Sequence, residues 1–154
     1  MTSEVANRRD AETQSFKELS DSVIGFCIAI HRQLGPGLLE SAYEECLCHE
    51  LSNAGISFER QKPVPVTYKN VKLDCGYRVD LLIERKLIVE LNAVETLFPI
   101  HEAQLLTYLK LSNISVGLLI NFNVPLLKNG IKRIVNNFPE TFATPRLCGE
   151  FEIR

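Results

Sequence analysis

Two carboxylates in neighbouring short apolar segments are the residues best suited to chemistry in this chain. Asp80 and Glu90 lie on either side of Glu84-Arg85, where we predict a turn between the two segments. Because side chains alternate across a strand, a hairpin here can place both acids on the same side of adjacent strands. Two such carboxylates repel each other unless a proton or cation lies between them. A hard divalent ion with oxygen ligands, such as Mg²⁺, would remove that repulsion.

A third acid, Glu40, lies at the margin of the apolar stripe of a predicted helix. A carboxylate there points partly toward the core, where an unpartnered charge is costly. Three acids from different elements could therefore converge on one point. The alternative is that each is a solvated or salt-bridged surface group, and Arg78 could neutralise both Asp80 and Glu90.

The helices needed to position these acids follow from apolar spacing. Residues 1 to about 15 are polar and predict a loose lead-in, with a first helix starting at Ser20 or Asp21 as N-cap. Gly35-Pro36-Gly37 should end it. A second amphipathic helix is predicted over residues 38–54 and a third from Pro99.

The strands are predicted from alternation and from apolar runs. A strand around 64–68 carries two prolines, which confine it to an edge, and ends in a Lys69-Asn70 turn. Residues 77–83 and 87–91 form a hairpin, so three antiparallel strands are expected. The run 116–120 predicts a buried central strand, and residues 131–135 fit a strand or a helix. A mixed sheet flanked by helices is the natural packing.

Composition indicates one ordinary globular domain. The chain has 154 residues, of which 45% are hydrophobic and 23% charged. We expect a polar lead-in over 1–19, a domain over 20–138 and a tail over 139–154. The net charge of −2 gives no basic stripe of the kind found in dedicated DNA-binding proteins, although a local patch could still contact DNA.

Cysteine usage and hydropathy favour a cytoplasmic protein. The five cysteines are odd in number and have no CxxC spacing, so we expect free thiols in a reducing compartment. No apolar run approaches the roughly 20 residues of a membrane span, and the polar start is unlike a signal peptide.

The segment Gly37-Leu-Leu-Glu40-Ser-Ala-Tyr43 fits the pattern GxxExxY, which names a family of small bacterial proteins. The chain resembles that family over about residues 22–137. Each matching fragment is short, but their order and spacing together are specific. The other fragments are Ile30-His31-Arg32, Leu34-Gly35-Pro36-Gly37, Tyr77-Arg78-Val79-Asp80-Leu81-Leu82, Val89-Glu90-Leu91, His101-Glu102-Ala103-Gln104-Leu105-Leu106 and Leu119-Ile120-Asn121-Phe122.

The resemblance implies a restriction-endonuclease-like α/β core of the PD-(D/E)XK nuclease superfamily, which hydrolyses phosphodiester bonds of DNA or RNA with Mg²⁺ or Mn²⁺. By that resemblance, Glu40 is the first-helix acid, Asp80 the motif aspartate and Glu90 the acid of the next strand. The backbone carbonyl of Leu91 would assist at the metal, and Gln104 would be an auxiliary polar residue of the site.

Asn92 departs from the family pattern, because a lysine is expected two residues after Glu90. In the superfamily that lysine positions the attacking water and stabilises charge on the phosphate. One interpretation is therefore a nuclease whose activity is weakened or lost, with Lys62 or Lys86 as candidate replacements. The alternative is a non-catalytic module that binds nucleic acid or protein. The nucleic-acid type and the oligomeric state stay open.

Three other features have both functional and structural interpretations. His101 could contact a phosphate, but capping or packing at a helix start is the simpler prediction. Tyr43 is expected in the core with its hydroxyl hydrogen-bonded. The three positive charges within 128–133 could touch a phosphate backbone or form a solvated surface.

Overall fold

The first helix is much longer than its apolar pattern predicts. The structure, a computed structural model, describes residues 2–136. Helix α1 spans Thr2–Leu34, so the predicted loose lead-in and the start at Ser20 or Asp21 are wrong. The sequence before Gly25 contains no Gly or Pro and is rich in good helix formers, so the helix continues without an apolar stripe. The i,i+4 ion pair of Lys17 with Asp21 supports it.

The second helix, α2, spans Glu40–Asn53, close to the predicted range. The connection from α1 turns sharply, with Gly35 at φ 72° and Gly37 at φ 105°. Glycine adopts these angles without the steric penalty of a Cβ. The sequence prediction of a glycine-based stop between two helices is confirmed.

Tyr43 closes this turn from the core side, as expected for a buried tyrosine. Its hydroxyl donates to the Gly35 carbonyl at 2.6 Å and accepts from the Leu38 amide at 3.2 Å. Its ring is fully buried and stacks on Phe122 at 4.1 Å between centroids. Helix α2 is thereby fixed relative to α1 and to the end of a central strand.

We predict that Tyr43→Phe lowers the free energy of unfolding by about 1–3 kcal/mol. The change keeps the stacked ring but leaves the Gly35 carbonyl without its hydroxyl donor. Urea denaturation followed by circular dichroism measures the loss. Tyr68→Phe is the matched control, because Tyr68 is 61% exposed and should change stability little. Equal stability of the two variants would contradict this role of the Tyr43 hydroxyl.

The main sheet has five strands, β1 (Phe58–Pro63), β4 (Arg78–Ile83), β5 (Leu87–Asn92), β6 (Val116–Asn121) and β7 (Ile131–Val135), side by side in the order β1-β4-β5-β6-β7. Only β5 and β6 are parallel; the other neighbours are antiparallel. Helix α3, Pro99–Ser112, makes the crossover that a parallel pair requires. The expected α/β fold, a mixed sheet flanked by helices with a buried strand at 116–120, is confirmed.

The region before β4 differs from the predicted three-stranded array. The predicted strand around 64–68 is shorter, β2 (Val66–Tyr68), and pairs only with β3 (Val71–Leu73) in a separate hairpin. The edge strand is instead β1, which the sequence analysis missed because its residues are largely polar and exposed. Edge strands need only a weak apolar pattern, so alternation does not reveal them.

Two cores lie on opposite faces of the main sheet. One packs α1 and α2 against alternating residues such as Leu81, Val89 and Leu91. The other packs α3 against Ile88 and neighbouring residues. The strands β4 to β6 are consequently covered on both faces.

The described cysteines carry free thiols, as predicted. They are Cys27, Cys46, Cys48 and Cys75, and Cys148 lies outside the described residues. Burial raises the pKa of Cys27 to about 12, so this thiol stays protonated. Within residues 2–136, no helix combines the length and apolarity needed to span a membrane. The predicted tail over 139–154 also lies outside the described range.

Candidate functional site

Strands β4 and β5 separate at one end, and two acids occupy the fork. Backbone pairing runs from Ile83 opposite Leu87 to Leu81 opposite Val89, and the next positions in register are Asp80 and Glu90. At these two positions, hydrogen bonds between side chains and backbone amides take the place of backbone–backbone hydrogen bonds. The carboxylate of Glu90 accepts from the Asp80 amide at 2.8 Å. The structure thus brings Asp80 and Glu90 together, each half-buried.

The carboxylate of Asp80 completes a reciprocal arrangement. Its Oδ2 accepts from the amide of Leu91 at 2.8 Å, so each acid is bonded to the backbone of the opposite strand. These two bonds fix both carboxylates in the opening between the strands. Because hydrogen bonds from backbone amides favour the charged form, they partly offset the cost of burying two like charges.

Glu40 lies beside the same strand end. It is the first residue of α2, and its Oε2 accepts from the amide of Ala93 at 3.2 Å. Its side chain is exposed, but its charge contributes to the raised pKa of both Asp80 and Glu90. The three predicted acids therefore lie within electrostatic reach of one another.

A fourth acid, Glu44, belongs to this cluster and was missed by the sequence analysis. It is 7% exposed, and its two oxygens accept from Gln61 Nε2 and Arg60 Nε, both at 3.0 Å. Gln61 also donates to Asp80 Oδ1 at 3.3 Å, which links Glu44 to the fork. The available signal was spacing, because Glu44 lies four residues after Glu40 and so on the same helix face.

Asp80 and Glu90 hold their protons more strongly than free carboxyl groups do, because the pKa of each is raised. Burial is the main cause that raises the pKa of Glu90 to about 8, and the negative charge of Asp80 raises it further. Burial likewise raises the pKa of Asp80, while hydrogen bonds from Leu91 and Gln61 lower it. Within residues 2–136, the charges that act on the pKa of Glu90 are those of the carboxylates Asp80, Glu40 and Glu44. Such a cluster attracts a proton or a cation.

We predict that the metal-free protein loses stability as pH rises from about 5 to 8. Glu90 has a higher pKa when folded than when unfolded, so the folded state binds more protons in this window. The free energy of unfolding then falls with pH, by up to about 1.4 kcal/mol per pH unit for one proton. Urea denaturation in a chelator at several pH values measures it.

Glu90→Gln is the control for this pH dependence. It removes the titrating group but keeps a side chain of the same shape, so its stability should vary less between pH 6 and 8. At pH 8 it should be more stable than the unchanged protein, because a buried negative charge is absent. The same pH profile in both proteins would show that Glu90 does not titrate in this range.

The donor chemistry of the cluster fits a hard divalent cation. Carboxylate and backbone carbonyl oxygens are the ligands that Mg²⁺ and Mn²⁺ prefer. Among the residues described, however, no three His, Cys, Asp or Glu side chains already surround a single point as metal ligands. The hydrogen bond of Glu40 to Ala93 holds this acid at the strand end, apart from the closely paired Asp80 and Glu90.

Asn92 and Gln104 come from two different elements, β5 and α3. Asn92 is the half-buried last residue of β5, and its carbonyl accepts from the Phe122 amide at 2.9 Å. Gln104 lies on α3, exposed, and donates from Nε2 to the Tyr108 hydroxyl at 2.9 Å. Burial raises the pKa of Tyr108, and the charges of Glu90 and Asp80 add to it. Gln104 is thus hydrogen-bonded to a tyrosine whose pKa responds to the two acids.

The basic residues considered near the acids have other partners. Lys62 pairs with Glu59 at 3.0 Å, on the same edge strand. Lys86 donates to the Ser15 hydroxyl at 2.9 Å from the hairpin turn, at the opposite end of β5 from Glu90. Arg78 donates to the backbone carbonyl of Gln61 at 3.4 Å. In this arrangement neither lysine takes the place of the missing one, and Arg78 does not pair with the two acids.

Asn121, at the end of β6, is a second residue whose role the sequence analysis did not assign. Its side chain is 2% exposed and exchanges two hydrogen bonds with the backbone of Val94, at 3.0 and 2.9 Å. It also accepts from the Asn123 amide at 3.2 Å. Because Asn121 is opposite Asn92 in the parallel register, it anchors the chain where it leaves the site.

The histidines and the basic segment have structural partners. His101 Nδ1 accepts from the Phe98 amide at 2.8 Å, which confirms helix capping. Buried His31 lies 2.8 Å from the Val124 carbonyl. In the basic segment, Lys132 pairs with Glu102 at 2.9 Å and Arg133 with Asp21 at 3.7 Å.

Comparison with known proteins supports the family assignment. A family model described as the PD-(D/E)XK nuclease superfamily matches residues 17–134, most of the chain. Searches of curated proteins and of solved structures give no match. The matched range contains strands β1, β4, β5 and β6 of the main sheet and all but the last residue of β7. It also contains all of α2 and α3 and the fork that holds Asp80 and Glu90. The chain therefore belongs to the PD-(D/E)XK nuclease superfamily.

Proposed function

We propose that the fork between β4 and β5 binds Mg²⁺ or Mn²⁺ and engages the phosphates of a nucleic acid, with phosphodiester hydrolysis weakened or lost. The observation that carries this proposal is the reciprocal hydrogen bonding of Asp80 and Glu90 to opposite strands, with the charges of Glu40 and Glu44 adding to that of Asp80 in raising the pKa of Glu90. Structural acids are usually neutralised by a basic neighbour. A half-buried pair of acids without an ion-pair partner, as found for Asp80 and Glu90 among the described residues, is typical of a functional site. Within the superfamily, we further propose that the chain is a GxxExxY protein.

Asp80, Glu90 and the carbonyl of Leu91 would hold the ion, and Glu40 would join after releasing the Ala93 amide. When bound, the ion would polarise a phosphate oxygen and lower the pKa of a water molecule. The fold contributes rigidity, since the two acids are tied to the backbones of opposite strands. Gln61 would keep Asp80 and Glu44 in place through its two hydrogen bonds.

Asn92 limits what this site can achieve chemically. An asparagine side chain can donate a hydrogen bond to water or phosphate but carries no positive charge. Removing one positioned donor typically costs about 10²–10³ in rate, and the cation of a lysine is a stronger partner for developing negative charge. Lys62 and Lys86 are engaged elsewhere. We therefore infer slow cleavage at best.

A non-catalytic binding module is the second candidate. Asn92 favours it, as does the net charge of −2. The ion pairs of Lys132 and Arg133 also reduce the basic surface available to a phosphate backbone. Under this alternative the same fold would hold nucleic acid or a protein partner without cutting it.

A cleavage assay with purified full-length protein separates the two candidates. Labelled single-stranded and duplex DNA and RNA are incubated with Mn²⁺, alongside Asp80→Ala prepared identically. Slow cleavage that disappears in Asp80→Ala supports a weakened nuclease. Binding of these nucleic acids without cleavage supports the non-catalytic module. Cleavage at equal rates in both proteins would show that the fork is not the active site.

A further inference from the structure

A groove next to the fork has the properties of a base-binding site. It has a volume of about 610 Å³, within the roughly 300–1,000 Å³ of small-ligand pockets. It lies between the β2–β3 hairpin and α3, and Val66, Tyr77, Ile100 and Gln104 are among the residues that line it. Its walls are mainly apolar, with the Gln104 amide as a polar group.

Tyr108 connects the groove with the acid pair. Tyr108 lines the groove and lies in the electrostatic field of Glu90 and Asp80, while its hydroxyl accepts from Gln104. Tyr77 packs near it, with ring centroids 6.1 Å apart, and lies three residues before Asp80. A ligand in the groove would therefore have an end directed toward the proposed phosphate site.

Tyr77 is the aromatic surface best placed for stacking. It is 46% exposed and, like Ile100 at 68%, leaves apolar area open to the groove. The hairpin extends this surface, because alternation puts Val66 and Tyr68 on one strand face. The ammonium group of Lys69 lies 5.4 Å from the Tyr68 ring centre, so a positive charge accompanies the aromatic surface.

We propose that this groove receives an unpaired nucleobase, stacked against Tyr77, while the adjoining phosphate lies toward Asp80 and Glu90. A base offers two apolar faces and a polar edge, which match the apolar walls and the Gln104 amide. Lys69 and exposed Lys72 of the hairpin complement the charge of the flanking phosphates. A paired base cannot present its face to a side chain. The groove would then select single-stranded nucleic acid, a conclusion that rests on the proposed function of the fork.

Fluorescence anisotropy with the full chain tests this proposal. The probes are labelled oligothymidylate and oligouridylate of roughly 12 nucleotides, and a blunt duplex of the same length. Ca²⁺ replaces Mg²⁺ to prevent cleavage, and a parallel series contains a chelator. We expect at least one single-stranded probe to bind more tightly than the duplex.

Substitutions of Tyr77 identify the stacking contact. Tyr77→Leu keeps an apolar side chain but removes the ring, and should weaken single-strand binding roughly five- to hundredfold. Tyr77→Phe should bind within about twofold of the unchanged protein, because stacking needs only the ring. Val135→Ala is the matched control, since Val135 is 50% exposed on the distant edge strand β7.

A second substitution keeps the test decisive if Tyr77 variants fold poorly. Ile100→Glu places a negative charge at an exposed position of the groove and should weaken binding of the same probes at least as strongly as Tyr77→Leu. If folded Tyr77→Leu binds the single-stranded probes as tightly as the unchanged protein, the Tyr77 ring makes no stacking contact with a base. That result would overturn the proposal. So would equal binding of duplex, or no binding of either single strand.

The chelator series separates this inference from the metal site. If the fork binds no metal, the affinity for the single-stranded probes will not depend on Ca²⁺. The unchanged protein will still bind these probes more tightly than Tyr77→Leu does. If the groove binds no base, the unchanged protein and Tyr77→Leu will have the same affinity for the probes, and any dependence of that affinity on Ca²⁺ will remain. Each proposal can therefore fail without the other.

Discussion

Asn92→Lys should raise the rate of metal-dependent nucleic-acid cleavage by about 10²–10³. Residue 92 follows Glu90 by two positions in β5, so both side chains leave the same face of the strand. A lysine there would bring an ammonium group beside the carboxylate cluster. It would supply the charge that asparagine lacks, at a position that is half-buried and already part of the site. Time courses with labelled DNA and RNA in Mn²⁺ measure the change.

Two controls define what such a gain means. Asp80→Ala in the Asn92→Lys background should abolish the gained activity, because the cation site is removed. Asn129→Lys adds the same charge at an exposed position in the connection between β6 and β7 and reports any general effect of a new lysine. A folded Asn92→Lys protein no faster than the original would mean that position 92 does not act on the scissile phosphate.

Asn121→Ala should lower the free energy of unfolding by about 3 kcal/mol. The substitution leaves the amide and carbonyl of Val94 and the amide of Asn123 without their side-chain partner. Each unsatisfied buried group costs about 1–3 kcal/mol, and water that reaches the loop and hydrogen-bonds these groups offsets part of this cost. Urea denaturation measures the loss, with Asn129→Ala as the exposed control.

The same substitution should also disturb the site, because Val94 is two residues from Asn92 and next to Ala93, whose amide holds Glu40. We therefore expect Asn121→Ala to weaken Mn²⁺ binding along with stability. Stability unchanged from that of the original protein would contradict the role of Asn121 as the anchor of this segment.

The sequence predicted those elements that bury a regular apolar pattern. Helix α2, the β4–β5 hairpin and the buried strand β6 follow from spacing, because each packs a full face against a core. The turn predicted at Glu84-Arg85 is also present, and both residues adopt positive φ within the three-residue connection between the paired Ile83 and Leu87. By contrast, residues 11–18 of α1 and edge strand β1 expose most of their side chains, so their patterns carry little information.

The site was predictable only where strand register determines proximity. Asp80 and Glu90 lie at opposite positions of one hairpin, so alternation placed them together. Glu44 and Gln61 reach the site from other elements, and their contact requires the packing of α2 on β1. Gln61 also adopts φ 49°, a local break in the edge strand that no sequence pattern announces. Asn121 acts through backbone groups of a loop, which leave no trace in residue spacing.

Calorimetric titration of the metal-free protein with Mn²⁺ tests the central claim most directly. Saturable binding is expected for the original chain, with loss of measurable binding in Asp80→Asn and in Glu90→Gln. Glu18→Gln, which removes an exposed carboxylate from α1, should bind as the original does. A folded original chain that binds no Mn²⁺ at millimolar concentration, or an Asp80→Asn variant that binds it equally well, would contradict the account.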